Sequence, residues 1–136
     1  MKEKIASLTA YKYANMIDKE ISSTPNQNEK KGKIMIASQL YFYAGENGLK
    51  YLLELSDVPL SRDTLQNQVL TQLSKIFDKE TSERIEELYL LLLPKKDGGS
   101  GFRNLGAYQG KNSNIYNTHK EFAKLIVEAI ENNTED

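Results

Sequence analysis

Apolar residues along this chain recur at steps of three and four, the period of a helix buried on one face. Over 2–22, Ala6, Ala10, Tyr13, Ala14, Ile17 and Ile21 form one such stripe. The run from Ser22 to Asn28 breaks it, because its residues favour turns and Pro25 cannot continue a helix. A second helix is predicted over 29–55, where Ala37, Tyr41, Ala44, Gly48, Tyr51 and Leu55 repeat. Ile36, Leu40, Tyr43, Leu49, Leu52 and Leu53 fall outside that stripe. A helix apolar on several sides needs several partners, so this is the expected central element. Ala44 and Gly48 lack bulk and would let a neighbouring backbone approach, and Val58-Pro59 marks the end.

Ser61 or Asp63 can cap a third helix over 62–77, with Leu65, Val69, Leu73 and Ile76 as its buried face. Asp78 can cap a fourth over 79–93, carrying Ile85, Leu88 and Leu92 and closed by Pro94. The fifth, over 113–132, lines up Ile115, His119, Phe122, Ile126 and Ile130, with Ala123 and Val127 adjacent. Between the last two lies a glycine-rich loop, 95–112, which holds five of the chain's eight glycines. Strand-like alternation and internal repeats are absent from the sequence. The expectation is one domain, 1–136, all-α, an antiparallel up-and-down bundle of about five helices.

Composition narrows the chemistry. The 136 residues include no cysteine and a single histidine, which removes thiolate chemistry and leaves only carboxylates for metals. No acidic run has calcium-loop spacing, so neither metal nor cofactor is expected. Eighteen basic and nineteen acidic residues nearly cancel, without the basic excess of a dedicated duplex-DNA binder. The longest apolar run, Leu88 to Leu93, falls far short of a membrane span, and the start of the chain has no signal-peptide core. A cytoplasmic protein with no membrane partner is expected.

Within the loop, Arg103 offers a planar fork of donors for phosphate or carboxylate, with Asn104 beside it. Phe102 and Tyr108 are aromatic platforms of the kind on which bases stack. The alternative is that Arg103 pairs with a surface acid and the aromatics anchor the loop. His119 is the only imidazole available to catalysis, yet its spacing places it on the apolar stripe of the last helix, as a half-buried histidine. The abundant tyrosines, with Tyr41, Tyr43 and Tyr51 on the second helix, suggest a subunit interface there, formed by Tyr41, Ala44, Gly48 and Tyr51; the alternative is that they finish a core whose edges are wet.

The stretch Ala44-Gly45-Glu46-Asn47-Gly48-Leu49-Lys50-Tyr51-Leu52-Leu53 resembles the second long helix of HEPN domains. Asp57 to Leu65 looks like the family's proline turn into its next helix, with Arg62 where histidine is common and Thr64 inserted. The resemblance implies an α-helical bundle that forms a homodimer. It implies RNA or a small nucleotidyltransferase as partner, as in toxin–antitoxin and phage-defence systems. Ribonuclease members carry an arginine, then four to six residues, then a histidine. Arg103-Asn104 matches the start of that motif, but Tyr108 stands where the histidine would be. A phenol with a pKa near 10 is a poor general base at pH 7.

The sequence therefore points to a noncatalytic HEPN-like dimeric module, with Phe102, Arg103, Asn104 and Tyr108 lining its ligand site. The rival readings are a ribonuclease using Arg103 with His119 or Tyr108, and a structural helical scaffold of phage or viral type.

Overall fold

A computed structural model of the chain describes residues 1–55, 70–94, 100–104 and 113–132; within them every regular element is helical. In chain order these are α1 (Lys2–Ile21), α2 (Gln27–Leu52), the single turn α3 (Leu70–Leu73), α4 (Lys79–Leu92) and α5 (Ser113–Asn132). Residues 102–104 add a helical turn inside the stretch expected to be loop. Most of the third predicted helix lies outside the described residues, and Ser74 to Ile76 form turns rather than continuing it.

The helix ends follow local chemistry. Asn26 accepts a hydrogen bond from the Glu29 amide at 2.9 Å, so α2 starts at Gln27 rather than at residue 29. Its end also differs from expectation. Glu54 takes a left-handed backbone, φ 58°, and the Leu55 amide reaches back to the Lys50 carbonyl at 2.7 Å. This is the closing geometry normally supplied by glycine, and it stops α2 at Leu52, before Val58-Pro59 is reached. Asp78 caps α4 by accepting from the Thr81 amide at 2.7 Å.

Four long helices alternate in direction. α1 runs antiparallel to α2: Ser7 meets Ala44, Asn15 meets Tyr41 and Glu20 meets Lys33. α5 packs against α1, α2 and α4. Asp18 of α1 meets Tyr116 and Lys120 of α5, and Arg84 of α4 grips Glu121 of α5 through two hydrogen bonds of 2.7 and 2.6 Å. The helices α2 and α5 point the same way, as a diagonal pair of such a bundle must. They nevertheless touch, because Gly45 lies against Phe122 and Gly48 against Ile126 and Ile130. The two glycines collapse the bundle along this diagonal, and α5 shares the central position expected of α2.

Every residue of the stripe read on α5 is buried, His119 included. On α1 the stripe is rotated: Glu3, Ser7, Ala10 and Ala14 face inward, while Tyr13 is 51 % exposed. Two polar residues occupy that inner face because each finds a partner there. The Ser7 hydroxyl donates to the Ala44 carbonyl at 2.6 Å, and Glu3 lies 3.8 Å from the Met1 amine. No helix among the described residues is long and apolar enough to cross a membrane.

Candidate functional site

Gly101 fixes how the segment 100–104 leaves α4. A Cβ at this position would overlap the carbonyl oxygens of Leu92 and Leu93, so only glycine lets the chain turn this closely over the end of the helix. Phe102 then packs, partly buried, against the main hydrophobic cluster. This anchoring sets Arg103 over α2, its guanidinium carbon 4.4 Å from the centre of the Phe42 ring. At that distance the ring face attracts the cation.

Phe42 is itself supported from below. Its ring lies 6.0 Å from that of Phe122 and 6.1 Å from that of Tyr89, and the latter two are 4.9 Å apart. The Tyr89 hydroxyl donates to Glu46 at 3.1 Å. Burial and the Glu46 carboxylate raise the Tyr89 pKa well above its ordinary value, against the opposing charge of Arg103. Arg103 is exposed and makes no ion pair among the described residues, while Asn104 beside it is half-buried.

His119 lies beneath the same region. Its Nδ1 is 2.9 Å from the Ile115 carbonyl, which can only accept, so the ring proton sits on Nδ1. Nε2 is left with an unshared pair, buried and without a partner among the described residues. Burial pushes the ring's pKa down to about 4; the Ile115 carbonyl opposes this and the Arg103 charge adds to it. The imidazole is thus neutral at pH 7. It is also fully buried, rather than half-buried as its spacing suggested. Arg103 and His119, far apart in sequence, are close enough here for the cation's field to act on the ring.

The four residues read as an interface are mostly covered by the chain itself. Tyr41 is fully buried, its hydroxyl donating to Asn15 at 2.7 Å and its ring packed between Tyr11 and Tyr116. Ala44 lies beneath Ser7, and Gly48 is filled by Ile126, Ile130 and Ser7. Tyr51 alone is partly exposed, with the Lys4 ammonium 5.8 Å from its ring centre. A second copy cannot reach Tyr41, Ala44 or Gly48 in this arrangement, because α1 and α5 already occupy that face. Tyr108 lies outside the described residues.

Sequence reading missed Phe42, Glu46 and Tyr89, the floor under Arg103. The available signal was the four-residue step from Phe42 to Glu46, which puts an aromatic and a carboxylate on one side of α2. No group of residues suited to hold a metal occurs among the described residues. Comparisons of the chain with protein-family models, with curated proteins and with solved structures gave no match.

Proposed function

We propose that this chain is a noncatalytic, HEPN-like, homodimeric binding module that takes a phosphodiester of single-stranded RNA at Arg103. One observation carries the reading: an exposed guanidinium held over Phe42, with no carboxylate partner among the described residues. A cation fixed in this way has lost much of its conformational freedom and keeps its outer donors for an anion. Phe102 and Arg103 lie next to each other on the anchored turn, and Asn104 follows. The resemblance of Ala44 to Leu53 to the HEPN helix supplies the class of partner, RNA or an associated nucleotidyltransferase.

Fluorescence anisotropy with a labelled single-stranded RNA tests this. Arg103→Ala should weaken binding about tenfold and reduce the salt slope by roughly 0.7, the value of one single-strand phosphate contact. Binding that is unchanged by the substitution removes Arg103 from the site.

A second reading, ribonuclease activity, is favoured by one fact, the closeness of His119 to the Arg103 charge. RNA cleavage lost in both Arg103→Ala and His119→Ala would establish it in place of the first. Against it stand the burial of the imidazole and a pKa of about 4, too low for an efficient base at pH 7.

A further inference from the structure

Seven large hydrophobic residues are exposed among the described residues, and six of them lie on the α1–α2 hairpin. Ile5, Tyr13 and Met16 project from the outer side of α1, at 60, 51 and 49 % exposure. Ile36 and Tyr43, two turns apart on α2, are 52 and 51 % exposed. A patch this concentrated on a small chain marks a contact surface. Between the two helices runs a groove of about 350 Å³, lined in part by Lys2, Ala6, Tyr43 and Lys50.

We infer that this face docks on the same face of a second copy of the chain, with the two α1 helices antiparallel about a twofold axis between Thr9 and Lys12. The pattern of α1 fits itself in that register. Ile5 falls opposite the partner's Met16, so the apolar residues meet each other. The partner's Lys12 falls opposite Thr9 rather than opposite another lysine. In the same register the partner's Lys19 falls level with Lys2 and the partner's Glu20 level with Met1, one position from Lys2 at the end of the groove that Lys50 also lines. Glu20 remains more than half exposed even though it pairs with Lys33 of its own chain. Antiparallel α1 helices also set the positive end of each helix dipole beside the negative end of the other.

The size of the face sets the strength. A 20-residue helix is about 30 Å long, and two helices side by side are about 20 Å wide, which gives about 600 Å² per copy. About 1,200 Å² in total is the lower edge of specific interfaces, the size class of weak, reversible contacts. The inference deepens the homodimer of the reading above and gives it a surface other than Tyr41, Ala44 and Gly48. It does not use Arg103.

Analytical ultracentrifugation from micromolar to several hundred micromolar protein should show a monomer–dimer equilibrium. Met16→Glu should weaken it at least tenfold with the circular dichroism unchanged, since Met16 is half exposed. Because the chain has no cysteine, Thr9→Cys and Glu87→Cys each offer a single thiol. A short bis-maleimide should join two copies through Thr9→Cys and not through Glu87→Cys. A monomer at every concentration overturns the inference. So does a dimer indifferent to Met16→Glu, or one joined through Glu87→Cys. RNA binding by the Met16→Glu monomer reports on Arg103 separately, so failure of one proposal is distinguishable from failure of the other.

Discussion

Replacing glycine by alanine at two points of the same helix should have opposite effects on stability. At Gly32 in α2 an added Cβ meets nothing within 4 Å, so Gly32→Ala gains only helix propensity, about 0.5–1 kcal/mol. At Gly45 the same methyl would overlap the Phe122 ring. That ring cannot swing aside, because it is fully buried and boxed by Phe42 and Tyr89 at 6.0 and 4.9 Å. Overpacking of this kind costs about 1–3 kcal/mol, and the propensity gain offsets about 1, leaving a net loss of up to about 2 kcal/mol. Gly48→Ala should behave like Gly45→Ala, since its methyl meets the Ile126 Cγ2 atom at 2.5 Å and the Ser7 hydroxyl at 2.9 Å. Urea unfolding at pH 7 should therefore separate Gly32→Ala from Gly45→Ala by about 1–3 kcal/mol, or roughly 4–12 °C in Tm for a chain of this size. Phe122→Leu in the Gly45→Ala background should recover part of the loss, whereas Phe122→Leu alone destabilises. Gly45→Ala as stable as Gly32→Ala would refute the collapsed α2–α5 diagonal on which the architecture depends.

Protonation of His119 should appear in the stability curve. Its ring is neutral in both states above pH 6.5; as pH falls towards 4 the unfolded chain takes a proton that the folded one refuses. Wild type should lose on the order of 3 kcal/mol over that interval through this group, and His119→Leu should not, as urea titrations at pH 7 and pH 4.5 will measure. Asp18→Ala removes a carboxylate that accepts from Tyr116 at 2.6 Å and Lys120 at 2.8 Å, and should cost about 1–2 kcal/mol at pH 7. Burial raises the Asp18 pKa, but those two hydrogen bonds outweigh it and leave the group below its ordinary value. The difference should accordingly shrink as pH falls below about 4. Gly101→Ala should weaken RNA binding as much as Arg103→Ala does, because it displaces the turn that holds the guanidinium over Phe42, and anisotropy reads this directly.

How much of this was legible depended on how cleanly each helix divides into faces. The bounds of α5 and all five residues of its stripe were readable, since one side is continuously apolar and the other charged. On α1, Ala10 and Ala14 of the expected stripe are buried and Ile17 and Ile21 pack against the same cluster, whereas Tyr13 is exposed; the inward positions that were missed, Glu3 and Ser7, are polar. Their partners, the Met1 amine and the Ala44 carbonyl, are invisible to a hydropathy pattern. In α2, apolar on most sides, periodicity could not rank one face above another. Phe42 went unread, and the need for a small residue fell on Gly45 as well as on Gly48. Its C-terminus was misplaced for a different reason: Glu54 takes the left-handed conformation for which glycine is the usual signal. At the candidate site, Arg103 was picked out by its chemistry and by the resemblance to the family motif. Its floor requires the tertiary approach of α2, α4 and the 100–104 turn, which no local pattern encodes.

The relation between Arg103 and His119 bears on whether an anion bound at the first could turn the second into a base. Three influences set the imidazole's pKa, and they are unequal. Burial is the largest, the bond to Ile115 opposes it, and the field of Arg103 is the smallest. A phosphate seated on the guanidinium would cancel only that smallest influence. The ring would stay buried, with its proton on Nδ1 and its Nε2 facing no solvent. Its titration should therefore move upward on binding and remain well below the ordinary histidine value near 6.5. NMR of the single imidazole, followed against pH with and without a saturating non-cleavable single-stranded RNA, measures this directly. A bound-state pKa above 6 would mean that ligand binding opens the core to water at His119. In that case a general base would be available beside Arg103, and the case for binding without chemistry would fail on its own physical premise.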